Sequence, residues 1–227
     1  MSKRPNPYGP EVEPEADGSP AIPLWIGGHA FLTMPDAGFF DIRDGEGRVL
    51  RRVPLCGADA VDAAVAAAIA AAATPWLAED WLAIRAEIGA LAGRYAQHLE
   101  GLLHSENGDG FDARAELLPL TEGPAGSAAV TDRCAPQIVA LVGLASEPLA
   151  GLASAALDLL AAGHAVILKP SVKTPSAVLA FAELATRAGL PGGRLNVVHG
   201  DEAVVQALCA HPGISRVVCI GTGETAE

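Results

Sequence analysis

Apolar and polar positions fall into two regimes along this chain, with the change near residue 136. From there to the end, short apolar runs alternate with helical patterns: "QIVALVGL", "PLAGLASAALDLLAAG", "HAVILKP", "TPSAVLAFAELATRAG", "RLNVVHG", "DEAVVQALCAHP" and "ISRVVCIG". The short runs are rich in β-branched residues and apolar at both parities, which predicts parallel strands covered on two faces. Four such strands joined by three helical crossovers make an open, doubly wound α/β sheet of about four strands over residues 136–227.

Before residue 136 the periodicity is different. "LWIGGHAFL" and "FFDIRDGEGRVLRRVPL" alternate apolar and polar residues around the turn signature "DGEG", which predicts a short strand followed by a hairpin. "GADAVDAAVAAAIAAAATPW" predicts an alanine-rich helix with Asp59 as N-cap and a stop at Pro75. A second helical pattern places Trp81, Ile84, Ile88, Leu91, Tyr95, Leu99 and Leu102 on one stripe up to Gly108, a buried face without chemistry. The hairpin and two helices thus occupy residues 21–108. Residues 109–135, broken by Gly110, Gly123, Pro124 and Gly126, are expected to be a linker. Residues 1–20, with five prolines and few large apolar side chains, are expected to be a flexible arm.

Charge narrows the partners. The net charge of −12 opposes binding to nucleic acid or an anionic membrane, and the 15 Lys and Arg are scattered. Cys56, Cys134, Cys209 and Cys219 form no CxxC pair, so neither a metal site nor a disulfide framework is expected. With no signal-type or membrane-length apolar stretch, the expected location is the cytoplasm.

In an open α/β sheet, ligands bind beyond the carboxyl ends of the strands. The residues there are Ala145, Ser146 and Glu147; Lys169, Pro170 and Ser171; His199, Gly200 and Asp201; and Gly221, Thr222 and Gly223. No G-x-G-x-x-G follows the first strand, and "GTGET" alone is a weak phosphate-loop signal. Lys169, at the mouth of an apolar strand, has the reach to meet ribose hydroxyls or phosphate.

Residues 22–227 resemble the amino-terminal part of the aldehyde dehydrogenase superfamily. The likeness rests on "LWIGG", the "FFDIRDGEGRVLRRVPL" hairpin, "ADAVDAAVAAA", "SENG", and above all "AAGHAVILKPSVKTPSAVLAFAELATRAGLPGGRLNVVHGD". It implies a partial, Rossmann-like NAD(P)-binding fold with Lys169, Ser171, Gly221 and Thr222 as cofactor-binding residues, the last two matching the family's Gly-Ser pair. The departures are as informative. "LASEP" puts Ser146 where the family's oxyanion-donating Asn stands, and Val172 replaces the carboxylate that accepts ribose hydroxyls, which implies weak or no NAD(P) binding. Glu227 falls before the family's general-base Glu and nucleophilic Cys, so no catalytic residue is expected in this sequence. "ASEPL" is similar to the degenerate second half of tandem aldehyde dehydrogenases. The resemblance therefore implies a non-catalytic accessory or structural subunit partnered by a full-length aldehyde dehydrogenase. The alternative is the NAD-binding half of a split enzyme, completed by a separate catalytic chain; a fragment with no role of its own is the third reading.

Overall fold

The computed structural model describes residues 21–44, 46–74, 78–108, 110–122, 136–144 and 147–221. The expected arm at 1–20, most of the expected linker, Cys134, Ser146 and Thr222 lie outside them. The centre of the molecule is β5 (Ile138–Gly143), β6 (Ala165–Lys169) and β7 (Leu195–Val197), flanked by β8 (Arg216–Ile220). β5 pairs in parallel with both β6 and β8, and β6 with β7. The crossovers are α5 (Ala150–Ala161), α6 (Ser176–Arg187) and α7 (Glu202–Ala210). The expected doubly wound parallel sheet is therefore present.

Alternation within each strand divides the interior in two. Val139 and Leu141 of β5, with Val166 and Leu168 of β6, face α5 and α6 beside Leu152, Leu160 and Phe181. Ile138, Ala140 and Val142, with Ala165 and Ile167, face the other way, onto Val204 and Leu208 of α7 and Val61, Ala64, Val65 and Ala68 of α1 (Ala58–Ala72). The alanines of α1 bury completely at Ala64 and Ala68, so its backbone lies close to the sheet.

The structure enlarges the sequence reading in several places. "LWIGGHAFL" is itself a hairpin, β1 (Leu24–Ile26) and β2 (His29–Phe31), and β1 runs antiparallel to β7, giving the order β2-β1-β7-β6-β5-β8. Gly27 and Gly28 turn it with φ of 64° and 84°, the two positive values a tight hairpin turn requires. Asn196, fully buried on β7, accepts from Gly27 N (3.0 Å) and so fastens the turn to the sheet. The "DGEG" hairpin is a separate pair, β3 (Phe39–Arg43) and β4 (Val49–Pro54).

Asp59 does not cap α1: Gly57 stands at the N-cap, and Asp59 lies in the first turn, where its charge favours the helix dipole. The expected long helix is two, α2 (Ala78–Arg94) and α3 (Ala96–Asn107), parted at Tyr95 with φ −104° and ψ 15°. Because Ile88, Leu91, Leu99 and Leu103 are buried on both sides of the break, the apolar stripe passes through it unmarked.

Part of the expected linker is α4 (Ala113–Thr121). It is capped by Asp112, which accepts from Ala115 N (3.2 Å), and buries Ala113, Leu117 and Leu120. Its carboxyl end is held by the buried Arg85 of α2, which donates to Pro119 O (2.8 Å), Leu120 O (3.0 Å) and Glu122 O. A guanidinium satisfies orphan helix carbonyls and opposes the negative end of the dipole together. No helix among the described residues is long and apolar enough to cross a membrane.

Candidate functional site

The helices that follow β5, β6 and β7 all begin at the carboxyl end of the sheet, where an open α/β fold places its ligand. A helix N-terminus is a natural anion seat, because its first N–H groups lack intrahelical partners. Here each of the three is met by a carboxylate from the chain itself. At α5, Glu116 of α4 accepts from Leu149 N (3.1 Å) and Ala150 N (2.7 Å), and Glu147 accepts from Gly151 N. At α6, Glu106 of α3 accepts from Ser176 N (3.2 Å) and from the Ser176 hydroxyl. At α7, Asp201 accepts from Ala203 N (3.0 Å).

Lys169 ends β6 within this rim and is 6% exposed. Its Nζ donates to Pro170 O at 3.0 Å, which leaves two of an ammonium's three donors without a partner among the described residues. Burial pushes its pKa below the ordinary lysine value, against the attraction of Asp201 and Cys219. The Cys219 position follows from register: Val142 of β5 pairs with Lys169 on one side and Cys219 on the other. Ser171 is buried two residues on, its Oγ accepting from Lys173 N (3.2 Å) in the turn after β6. Gly221 stands at the end of β8 with φ 121°. With β5 between β6 and β8, it lies two strand spacings, about 10 Å, from the Lys169 strand. Of the four residues expected at a cofactor site, Lys169 and Ser171 share one loop, Gly221 lies across the strand-order reversal, and Thr222 is outside the described residues.

His199 was legible as a strand-end position but not as a functional group. It is 1% exposed at the end of β7, and its Nε2 lies 3.1 Å from Pro23 O. A carbonyl only accepts, so Nε2 carries the proton. Burial, with the Lys169 charge adding to it, lowers the ring's pKa to about 4, so the ring is neutral at pH 7 and Nδ1 is a bare acceptor. That Nδ1 is buried without a hydrogen-bond partner among the described residues, as is Oγ1 of Thr174 on the loop after β6. Buried polar atoms are nearly always paired, and these two, at the same end of adjacent strands, are exceptions.

The thiols show no comparable preparation. Cys56 is buried, and burial raises its pKa to about 11, which keeps it protonated. Cys209 and Cys219 are exposed; for Cys219 this corrects the expectation of a strand buried on both faces, because β8 is a sheet edge with β5 as its only strand neighbour among the described residues. No base is hydrogen-bonded to either among the described residues, so neither is arranged as an activated nucleophile.

Comparison with known proteins agrees with this geometry. The sequence profile of the aldehyde dehydrogenase family matches residues 146–227. Betaine aldehyde dehydrogenase of Vibrio vulnificus is 52% identical over 68 residues, which are 30% of this chain and 14% of that enzyme. The crystal structure of an NAD-dependent aldehyde dehydrogenase from Sinorhizobium meliloti superposes with a TM-score of 0.73 at 26% identity, covering 88% of this chain and 45% of that one. A mutant of aldehyde dehydrogenase C from Pseudomonas syringae, in complex with NAD+ and octanal, gives 0.73 at 25% identity, covering 93% of this chain and 47% of that one. This chain thus spans less than half the length of these two structures and about a seventh of the Vibrio enzyme.

Proposed function

We propose, from the match of residues 146–227 to the aldehyde dehydrogenase family, that the chain is a non-catalytic, aldehyde dehydrogenase-like subunit that docks on a full-length aldehyde dehydrogenase. The observation that carries this reading is β8. It is an edge strand with Arg216 and Cys219 exposed, and its outer backbone groups are free of any other strand among the described residues. An open edge is a template for another chain, and a covered one is the ordinary solution. The thiols support the non-catalytic part, since none described is set beside a base.

The groups around Lys169 would serve part of a dinucleotide: Lys169 has donors to spare and Thr174 Oγ1 is unpaired, while the carboxylates on the flanking helix ends direct any phosphate away from those ends. Lys169 and its neighbours would hold the adenosine ribose, and Gly221 would lie toward the phosphates. The cofactor, when bound, supplies hydride acceptance. This retained seat favours a second reading, the NAD-binding half of a split aldehyde dehydrogenase whose catalytic chain is separate.

Native mass spectrometry of the chain with candidate aldehyde dehydrogenase subunits, combined with calorimetric titration of NAD+, tests both. The accessory reading expects a stoichiometric hetero-complex whose aldehyde-dependent NAD+ reduction is carried by the partner. The split reading expects reduction only when both chains are present. A chain that remains monomeric in every mixture refutes the docking on which both depend.

A further inference from the structure

β6, β5 and β8 meet at the amino end of the sheet, away from the candidate site, and one imidazole is bonded into the junction. Gln137, immediately before β5, donates its N–H to His164 Nδ1 (3.1 Å), and its carbonyl accepts from Ala165 N (2.9 Å), the first residue of β6. The next carbonyl, Ile138 O, accepts from Ser215 N (2.9 Å), the residue that leads into β8. Two consecutive residues of main chain thus fasten β6 on one side and β8 on the other, and the next residue, Val139, pairs with Arg216.

The ionisation of the ring follows from this geometry. A main-chain N–H only donates, so His164 Nδ1 is the bare nitrogen and Nε2 carries the proton. A second proton has to enter at Nδ1, where it displaces the bond from Gln137 N. Burial pushes the ring's pKa below the ordinary histidine value of 6.5, and the Arg216 charge adds to it. A folded pKa lowered in this way contributes stability that is fully present above 6.5 and is lost as pH falls through the folded value. The other charged groups on the elements that adjoin the junction are Asp158 of α5, Arg194 before β7, which donates to Gly163 O (2.7 Å), and Asp62 of α1. Asp62 belongs to a second imidazole: His211 Nδ1 accepts from Gly213 N (2.9 Å) in the turn before β8, and its Nε2 lies 3.4 Å from Asp62 Oδ1.

We propose that His164 is a pH-sensitive latch on the edge strand: protonation at Nδ1 breaks the bond from Gln137 N, places a second cation with Arg216 at the junction, and frees the amino end of β8. Because β8 is the docking edge proposed above, its use by a partner becomes pH dependent; that consequence rests on the docking reading, whereas the latch itself needs no partner.

Nuclear magnetic resonance of the whole chain tests the latch, following the histidine ring signals and amide exchange between about pH 7.5 and 5. Protection of the Ser215 amide, corrected for the intrinsic pH dependence of exchange, is expected to fall about fivefold along the His164 titration, the worth of one hydrogen bond. The Val198 amide, bonded to Leu168 O between β6 and β7, is expected to keep its protection. His164→Asn retains an acceptor near the δ position and cannot titrate, so its Ser215 protection should be flat in pH. Arg216→Gln should move the His164 midpoint upward, and His211→Asn should leave the Ser215 response in place. Ser215 protection that is flat in the parent, that falls equally in a folded His164→Asn variant, or that follows the His211 midpoint overturns the proposal. Protection lost at Val198 together with Ser215 means global unfolding and overturns it too. Native mass spectrometry of the chain with a candidate partner at both pH values reads the docking separately: a complex that never forms refutes the docking and leaves the latch standing.

Discussion

Glu106 offers the sharpest test of how the N-terminal helices are joined to the sheet domain. Its side chain is fully buried, yet it meets three elements: its own α3, Ser176 at the start of α6, and Arg51 of β4 at 3.8 Å. Burial raises its pKa above the ordinary glutamate value of 4.5, opposed by the Ser176 hydrogen bonds and the Arg51 charge. Two substitutions separate charge from contact. Glu106→Ala leaves Ser176 N and the Ser176 hydroxyl without their acceptor and Arg51, which keeps its bond to Ser105 Oγ, without its carboxylate; removing one partner of a buried polar cluster costs about 3 kcal/mol. At roughly 2–4 °C per kcal/mol for a chain of this size, the melting temperature should fall by about 6–12 °C. Glu106→Gln retains an acceptor for Ser176 and removes the ionisation. Since the folded state raises this pKa, it binds the proton more tightly than the unfolded chain. The associated stabilisation is fully present below about pH 4.5 and is lost as pH rises through the folded value. The stability of the parent minus that of Glu106→Gln should therefore decrease between about pH 4.5 and 7 in urea titrations at several pH values. An alanine variant melting within about 2 °C of the parent, or a parent-minus-glutamine difference flat in pH, would refute the clamp.

Three further substitutions probe the other joints. Arg85→Met removes the donors to Pro119 O, Leu120 O and Glu122 O; a loss of about 2–3 kcal/mol is expected, with faster hydrogen exchange over residues 113–121, and unchanged exchange there would contradict the capping role. Gly192→Ala would place a Cβ 2.3 Å from Gly27 O, so the β1–β2 turn must lift; a loss of about 1–3 kcal/mol should appear in thermal melts, and a parent-like melt would mean that the turn is not seated there. Val172→Glu restores a carboxylate beside Lys169 and should tighten NAD+ about tenfold or more in calorimetric titration, whereas weaker or unaltered binding would place the ribose elsewhere.

The strands β5, β6 and β7 could be read from the sequence because they are apolar at both parities, a pattern that arises only when both faces are covered. "RVVCI" carries the same signature, but the chain crosses back over β5 after α7 and leaves β8 at the edge, with Arg216 and Cys219 exposed. Strand order is not encoded in local periodicity, so the burial of β8 was misjudged for a reason no window could reveal. Helix α4 escaped notice because Pro119 and the glycines around it read as a break. What secures it is Arg85 on another helix, 35 residues from Leu120 in sequence.

The site divides along the same line. Lys169 stood out because a single polar residue closing an apolar strand is a local anomaly, whereas the unpaired state of His199 depends on Pro23, 176 residues away in sequence, and on the shortage of a donor at its other nitrogen. Charge shows the difference most clearly. From the sequence, Glu106, Glu116, Glu147 and Asp201 were anonymous contributors to a net charge of −12 that disfavours polyanions in general. In the fold each of them meets the N-terminus of a crossover helix at the carboxyl end of the sheet. The same four residues thus turn a diffuse repulsion into a local one, placed at the three helix ends.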